Sequence, residues 1–109
     1  MRHGGTRRAL SALALALTAT LGVGVSSAAA EAYGDYLTAT KIRTGPSTNY
    51  TAVGVGYPGH GVVIDYAYSM AQNINGNRQW NHHTNLTTSK VGFSSDYYMD
   101  YEGWFWLYL

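Results

Sequence analysis

Beyond position 30 the chain runs in short bursts of β-prone residues separated by turn formers, and no apolar stripe repeats at the 3.6-residue spacing of a helix. Val62 to Tyr68 is the clearest burst. Val62, Ile64, Tyr66 and Tyr68 fall on one side of an extended chain, and Val63, Asp65 and Ala67 fall on the other. Gln79 to Leu86 alternates in the same way and aligns Trp80, His82, Thr84 and Leu86. Between them lies Asn75-Gly76. A type I′ turn needs positive φ at both central positions, which Asn and Gly tolerate best, so the two bursts read as a hairpin. Tyr36 to Arg43 is another strand-like run, ending at the turn cluster Thr44-Gly45-Pro46-Ser47. Val53 to Tyr57 is short, Gly-interrupted and closed by the turn Tyr57-Pro58-Gly59-His60-Gly61. Val91-Gly92-Phe93 follows a turn over Thr87 to Lys90. Short, evenly spaced strands with turns between them predict an all-β domain, a small barrel or sandwich.

The first thirty residues pattern differently. Met1 to Arg8 is basic, Ala9 to Val25 is uncharged and rich in Ala and Leu, and Ala28-Ala29-Ala30 fits the A-x-A cleavage rule. The apolar run is shorter than the ~20 residues of a spanning helix. Residues 1–30 therefore read as a secretory signal peptide cut after Ala30 rather than Ala32, and the chain is expected to be secreted, with cell-wall association open. Membrane contact is expected only through an uncleaved signal.

Setting that segment aside changes the charge. The whole chain has seven Lys and Arg against six Asp and Glu. Residues 31–109 keep four of the basic residues (Lys41, Arg43, Arg78, Lys90) and all six acids, a net −2. Such a domain lacks the basic surface that phosphate backbones require, which argues against nucleic acid and anionic membranes as partners. There is no Cys, so no disulfide staples the fold. All ten Tyr, three Trp and two Phe lie in this part. A domain of this size buries only ~60% of its unfolded surface, and aromatic side chains, at ~150–250 Å² each, are the means left to build its core.

Ile42-Arg43-Thr44-Gly45-Pro46-Ser47-Thr48-Asn49-Tyr50-Thr51-Ala52-Val53-Gly54 resembles the opening of bacterial SH3-like domains, which reads V-R-S-G-P-S-x-x-Y-x-x-V-G. Gly59-His60-Gly61-Val62-Val63-Ile64 is similar to the turn and strand after that family's first loop. Asn75-Gly76 followed by Trp80 resembles its hairpin, and Gly92-Phe93-Ser94-Ser95-Asp96-Tyr97-Tyr98-Met99 its closing G-W-V-S-x-x-Y-L. The chain departs from the pattern at Thr40-Lys41, which replaces Leu-Asn, at Ser94, which replaces the closing Val, and in a longer hairpin arm over residues 69–78. The resemblance divides the chain into a signal peptide (1–30), a short lead (31–37), an SH3-like domain (38–99) and an aromatic extension (100–109). It implies a barrel of about five to seven short antiparallel strands that binds envelope ligands, the stem or cross-bridge peptides of peptidoglycan.

Turn chemistry accounts for Gly45 and Pro46, with Tyr50 folding back as a lid and Arg43 hydrogen-bonding loop carbonyls or a carboxylate. Trp80 is expected in the core with its indole N–H partnered, and Tyr98, which matches the family's closing tyrosine, is expected to pack. More Tyr residues remain than so small a core can hold. Tyr50, Tyr66 and Tyr97 are the candidate ligand groove, with Asp96 placed to pair an amine on the ligand. The tail Trp104-Phe105-Trp106-Leu107-Tyr108-Leu109 is expected as a final strand or clasp on the barrel. Otherwise it serves a dimer, lipid, envelope or glycan contact.

Catalytic patterns are missing. Gly54-Val55-Gly56-Tyr57-Pro58-Gly59 matches G-x-G-x-x-G but no βαβ unit surrounds it. Neither G-x-S-x-G nor H-E-x-x-H occurs. Asp96, Asp100 and Glu102 read as a solvated rim rather than a glycosidase pair. His82 and His83 point to opposite faces of a strand, and His60 with one of them falls short of a metal ligand set. Asn49-Tyr50-Thr51 and Asn85-Leu86-Thr87 match the glycosylation sequon but are discounted in a bacterial-looking chain. The expectation is a secreted module without catalysis, cofactor or metal, binding a cell-wall peptide or glycopeptide. The alternative is a secreted module that binds or inhibits another protein.

Overall fold

A computed structural model describes residues 30–109, and the leader read from residues 1–29 lies outside them. Among the described residues eight strands form: β1 (Ala32–Tyr36), β2 (Thr40–Arg43), β3 (Ala52–Gly56), β4 (Val62–Tyr68), β5 (Trp80–Asn85), β6 (Val91–Ser95), β7 (Met99–Gly103) and β8 (Trp106–Tyr108). A single 3₁₀ turn, Asp96–Tyr98, separates β6 from β7, and the described residues contain no α-helix. The all-β expectation holds. The strands form one sheet in the order β3-β2-β6-β5-β4-β1-β7, with β8 beside β4. Every pairing is antiparallel except that of β8 with β4. The strand count exceeds the expected five to seven by one, because the tail returns to the sheet.

The stretch expected as a lead is part of the sheet. β1 lies between β4 and β7 and carries Ala32 and Tyr36 into the core. Gly34 makes that position accessible, since an added Cβ would overlap the Asp100 carbonyl and the Tyr101 backbone of β7. The extension is likewise integral: Met99 and Tyr101 of β7 are buried with Ala32, Tyr36, Ile42, Val62 and Ile64, and Phe105 packs against this cluster. The run from Tyr36 to Arg43 breaks in two, because the bend at Leu37 turns the chain from β1 to β2.

The hairpin turn forms as its residues predict. Asn75 and Gly76 take φ of 52° and 91°, and Ile74 pairs with Asn77 across them. The alternation of β4 fails at one residue. Ile64 faces His83 on β5 and Tyr66 faces His82, which leaves Asp65 as an extra residue in a β-bulge. The bulge exchanges the faces of the strand. Val62, Ile64 and Ala67 are buried, whereas Tyr66 and Tyr68 stand half-buried.

Polar groups share the interior and are paired there. Ser94, where the family pattern has Val, donates its hydroxyl to the Lys41 carbonyl at 2.7 Å. Asn85 accepts from the Thr87 and Thr88 amides. His83 is fully buried. Its Nδ1 faces the Asn81 carbonyl at 3.0 Å, so that nitrogen carries the hydrogen and Nε2 accepts from the Tyr36 hydroxyl at 2.9 Å. Burial pushes the His83 pKa down to about 4 and the Tyr36 phenol up to about 12. Asp35 clamps the turn before β4 by accepting from the amides of Gly59, Gly61 and Tyr36. Burial opposes its charge, but these backbone donors outweigh burial and hold the carboxyl below its ordinary value.

Candidate functional site

The Gly45-Pro46 turn opens the loop between β2 and β3. The Tyr50 ring lies over Gly45 so closely that a Cβ there would come within 2.5 Å of it. Arg43, at the end of β2, donates Nη1 to the Thr48 and Tyr50 carbonyls at 3.2 and 2.9 Å. Of the two roles expected for Arg43, its Nη1 takes the structural one. Gln72 ties this loop to the β4–β5 connection: its Oε1 accepts from the Thr48 amide at 2.6 Å, and its carbonyl accepts from the Trp80 indole at 2.9 Å. Trp80 is 2% exposed, so its expected burial and partnered N–H are both present.

Beside the Tyr50 loop lies an open groove of about 420 Å³. One wall is Pro46, Ser47, Asn49 and Tyr50; the other is Tyr68, Met70, Ala71 and Leu109. The groove lining is mostly apolar, and Ser47 and Asn49 within it can hydrogen-bond. Tyr50 and Met70 are 48% and 61% exposed. Tyr68 reaches this wall because of the bulge at Asp65, and Leu109 reaches it because β8 pairs with β4 from Tyr66 to Tyr68. The Ser69 amide donates to the Tyr108 carbonyl at 2.7 Å and closes that end.

The four candidate groove residues separate. Tyr50 lines the groove. Tyr66 lies among neighbouring rings, stacked on His82 at 4.4 Å and edge-on to Tyr68, Phe93 and Tyr108. His82 Nδ1 in turn lies 2.7 Å from the Asp65 carboxylate. Burial, with Tyr68, Asp65 and Tyr108 nearby, raises the Tyr66 phenol above its ordinary value. Tyr97 is exposed, touches Tyr98 edge-on at 5.2 Å and does not line the groove. Asp96 is the correction. Its carboxylate is 6% exposed and accepts from Tyr101 at 2.7 Å, Asn77 at 2.9 Å, Asn81 at 3.0 Å and Gln79 at 3.3 Å. It binds the 3₁₀ turn to β5 and β7, and is not presented to a ligand amine. Tyr98 lines a second, smaller pocket of about 220 Å³ together with Lys41, Arg43, Thr48, Trp80 and Ser95.

Sequence reasoning missed Tyr68, Met70 and Leu109 as groove residues. Nothing in the alternation of β4 marks the bulge that turns Tyr68 outward. The place of Leu109 depends on a parallel pairing between residues about 40 positions apart. The three histidines of this region stay separate. His60 accepts from Asn85 Nδ2 at 2.9 Å, His82 meets Asp65, and His83 meets Tyr36. Among the described residues no three His, Cys, Asp or Glu groups converge on a metal-sized point. Compared with family models, curated proteins and solved structures, the chain matches none.

Proposed function

We propose that the chain is an exported, non-catalytic binding module built on an SH3-like barrel. Its groove between the Gly45-Pro46 loop and β8 takes an extended peptide of the bacterial cell wall. The groove itself carries this reading: an open, mostly apolar trough lined by Tyr50 and Tyr68, with Ser47 and Asn49 also in its lining. Tyr rings supply broad, stiff contact area at low entropic cost, and small polar side chains beside them serve a ligand backbone. The cell-wall class comes from the resemblance of residues 38–99 to bacterial SH3-like domains. The export comes from the leader pattern.

Co-sedimentation with purified peptidoglycan tests it. The protein is expected in the pellet, and Tyr50→Ala is expected to weaken retention about tenfold, the loss typical of one aromatic anchor. Tyr97→Ala, which lies outside the groove, is expected to change nothing. No retention, or equal retention of the Tyr50→Ala variant, refutes the reading. A second reading rests on the tail. Trp104 and Trp106 are 77% and 67% exposed, and aromatic residues are favoured at protein interfaces. Failure to bind peptidoglycan, together with capture of a defined protein that Trp106→Ala releases, favours that reading.

A further inference from the structure

The second pocket shares no lining residue with the groove and is built differently. Its volume is about 220 Å³, and its wall contains two cations, Lys41 and Arg43, with no Asp or Glu. That is unusual in residues 31–109, where acids outnumber bases.

Its lining side chains hold donors that nothing among the described residues answers. Arg43 uses only Nη1, on the Thr48 and Tyr50 carbonyls, so Nε and Nη2 have no acceptor among the described residues. The Lys41 ammonium makes no hydrogen bond or ion pair among them either. Ser95 is 2% exposed, and its Oγ accepts from the Tyr97 amide, but its own hydroxyl hydrogen finds no acceptor there. The Tyr98 hydroxyl, in the same wall, is also unmatched among the described residues. Ser95 is the buried one of the four, where a donor left without an acceptor is costly. Four donor groups, two of them charged, line one small pocket, and together they suit an acceptor-only, negatively charged group. A planar carboxylate suits the free side of a guanidinium fork and leaves room for a hydroxyl and an ammonium at its edges.

We propose that this pocket is a carboxylate-binding subsite. Arg43 and Lys41 neutralise the anion, and Ser95 and Tyr98 donate to its oxygens. Trp80 and Ile74 form an apolar wall for the carbon adjoining the carboxylate. The ligand class is a small monocarboxylate or the free carboxyl end of a peptide.

The test uses probes too small to reach the groove, so its outcome is separate from that of peptidoglycan binding. N-acetylglycine, its neutral twin N-acetylglycinamide, and inorganic phosphate are titrated into the ¹⁵N-labelled protein, with the Trp80 indole and the Thr48 and Ser95 amides as reporters. N-acetylglycine is expected to shift these signals with a Kd on the order of millimolar, as suits so few atoms. The neutral twin and phosphate are expected to bind at least about tenfold more weakly. Lys41→Glu changes an exposed side chain and is expected to abolish the shifts while leaving the rest of the spectrum in place. Ser95→Ala is expected to weaken binding severalfold. Equal shifts with the neutral twin, tighter binding of phosphate, no saturable shift, or unchanged binding by Lys41→Glu would each overturn the proposal.

Discussion

His83 shows how much one buried ring governs. It is neutral in the fold, held between the Asn81 carbonyl and the Tyr36 hydroxyl, with a pKa of about 4 against an ordinary 6.5. The unfolded chain therefore binds a proton in this window that the folded chain does not. Stability from His83 is fully present above the ordinary value and is lost as pH falls from 6.5 towards 4. The loss is on the order of 3 kcal/mol. Chemical denaturation from pH 7 to pH 4 is expected to show it, and His83→Gln, which retains an acceptor for Tyr36, is expected to flatten the profile over that range. A profile unchanged by His83→Gln would remove His83 as the cause. Asp35 acts in the same direction at lower pH, since its carboxyl is held below its ordinary value and loses its backbone partners on protonation. The neutral His83 was not legible in the sequence. Adjacent histidines on opposite faces of a strand were legible, but which one faces the interior depends on the neighbouring strands.

At the scale of elements, β1 and β4 decide the architecture. The alternation along Val62 to Tyr68 located β4 to the residue, and Asn75-Gly76 located its hairpin. Period-two patterning is local, and so is turn chemistry. The same local logic hid β1. A five-residue strand with one Gly carries little pattern, and it is held by pairing to Val62–Ile64 on one side and to β7 on the other. Gly34→Ala places a methyl group against the backbone of Asp100 and Tyr101. Thermal unfolding is expected to register it as a loss of roughly 2–4 kcal/mol, within the range of severe backbone and overpacking defects. A loss under about 0.5 kcal/mol, the level of an ordinary surface change, would mean that β1 does not pack as described.

For the whole molecule, β7 and β8 show how a chain without disulfides completes its sheet. β7 runs in the direction of β4 with β1 between them. At Gly103, where φ is 123°, the chain steps past the start of β1 and lays β8 along the second half of β4. β8 thus occupies the place beside β4 that lies beyond Ala32, the first residue of β1. Its three residues are all exposed, and it is held by one neighbour. It therefore adds little to stability while bringing Leu109, the residue after it, to the groove. Removing residues 106–109, with the core contact of Phe105 kept, is expected to lower Tm by less than about 10 °C, the equivalent of one to two kcal/mol. The same truncation is expected to remove most peptidoglycan retention. Global unfolding of the truncated chain would show instead that β8 is structural.

The sequence by itself determined the β class, the positions of β4 and its hairpin, the Gly45-Pro46 turn and the burial of Trp80. Each of these follows from the conformational preferences of neighbouring residues. Tertiary structure alone decided that the lead and the extension belong to the sheet and that Asp96 turns inward to Tyr101 and the three amide side chains. It also decided that the Asp65 bulge sends Tyr68 to the groove and that Leu109 lines the same groove as Tyr50. These features depend on contacts between residues far apart in the chain, and on how backbone register and buried polar groups are satisfied together, which no single segment encodes.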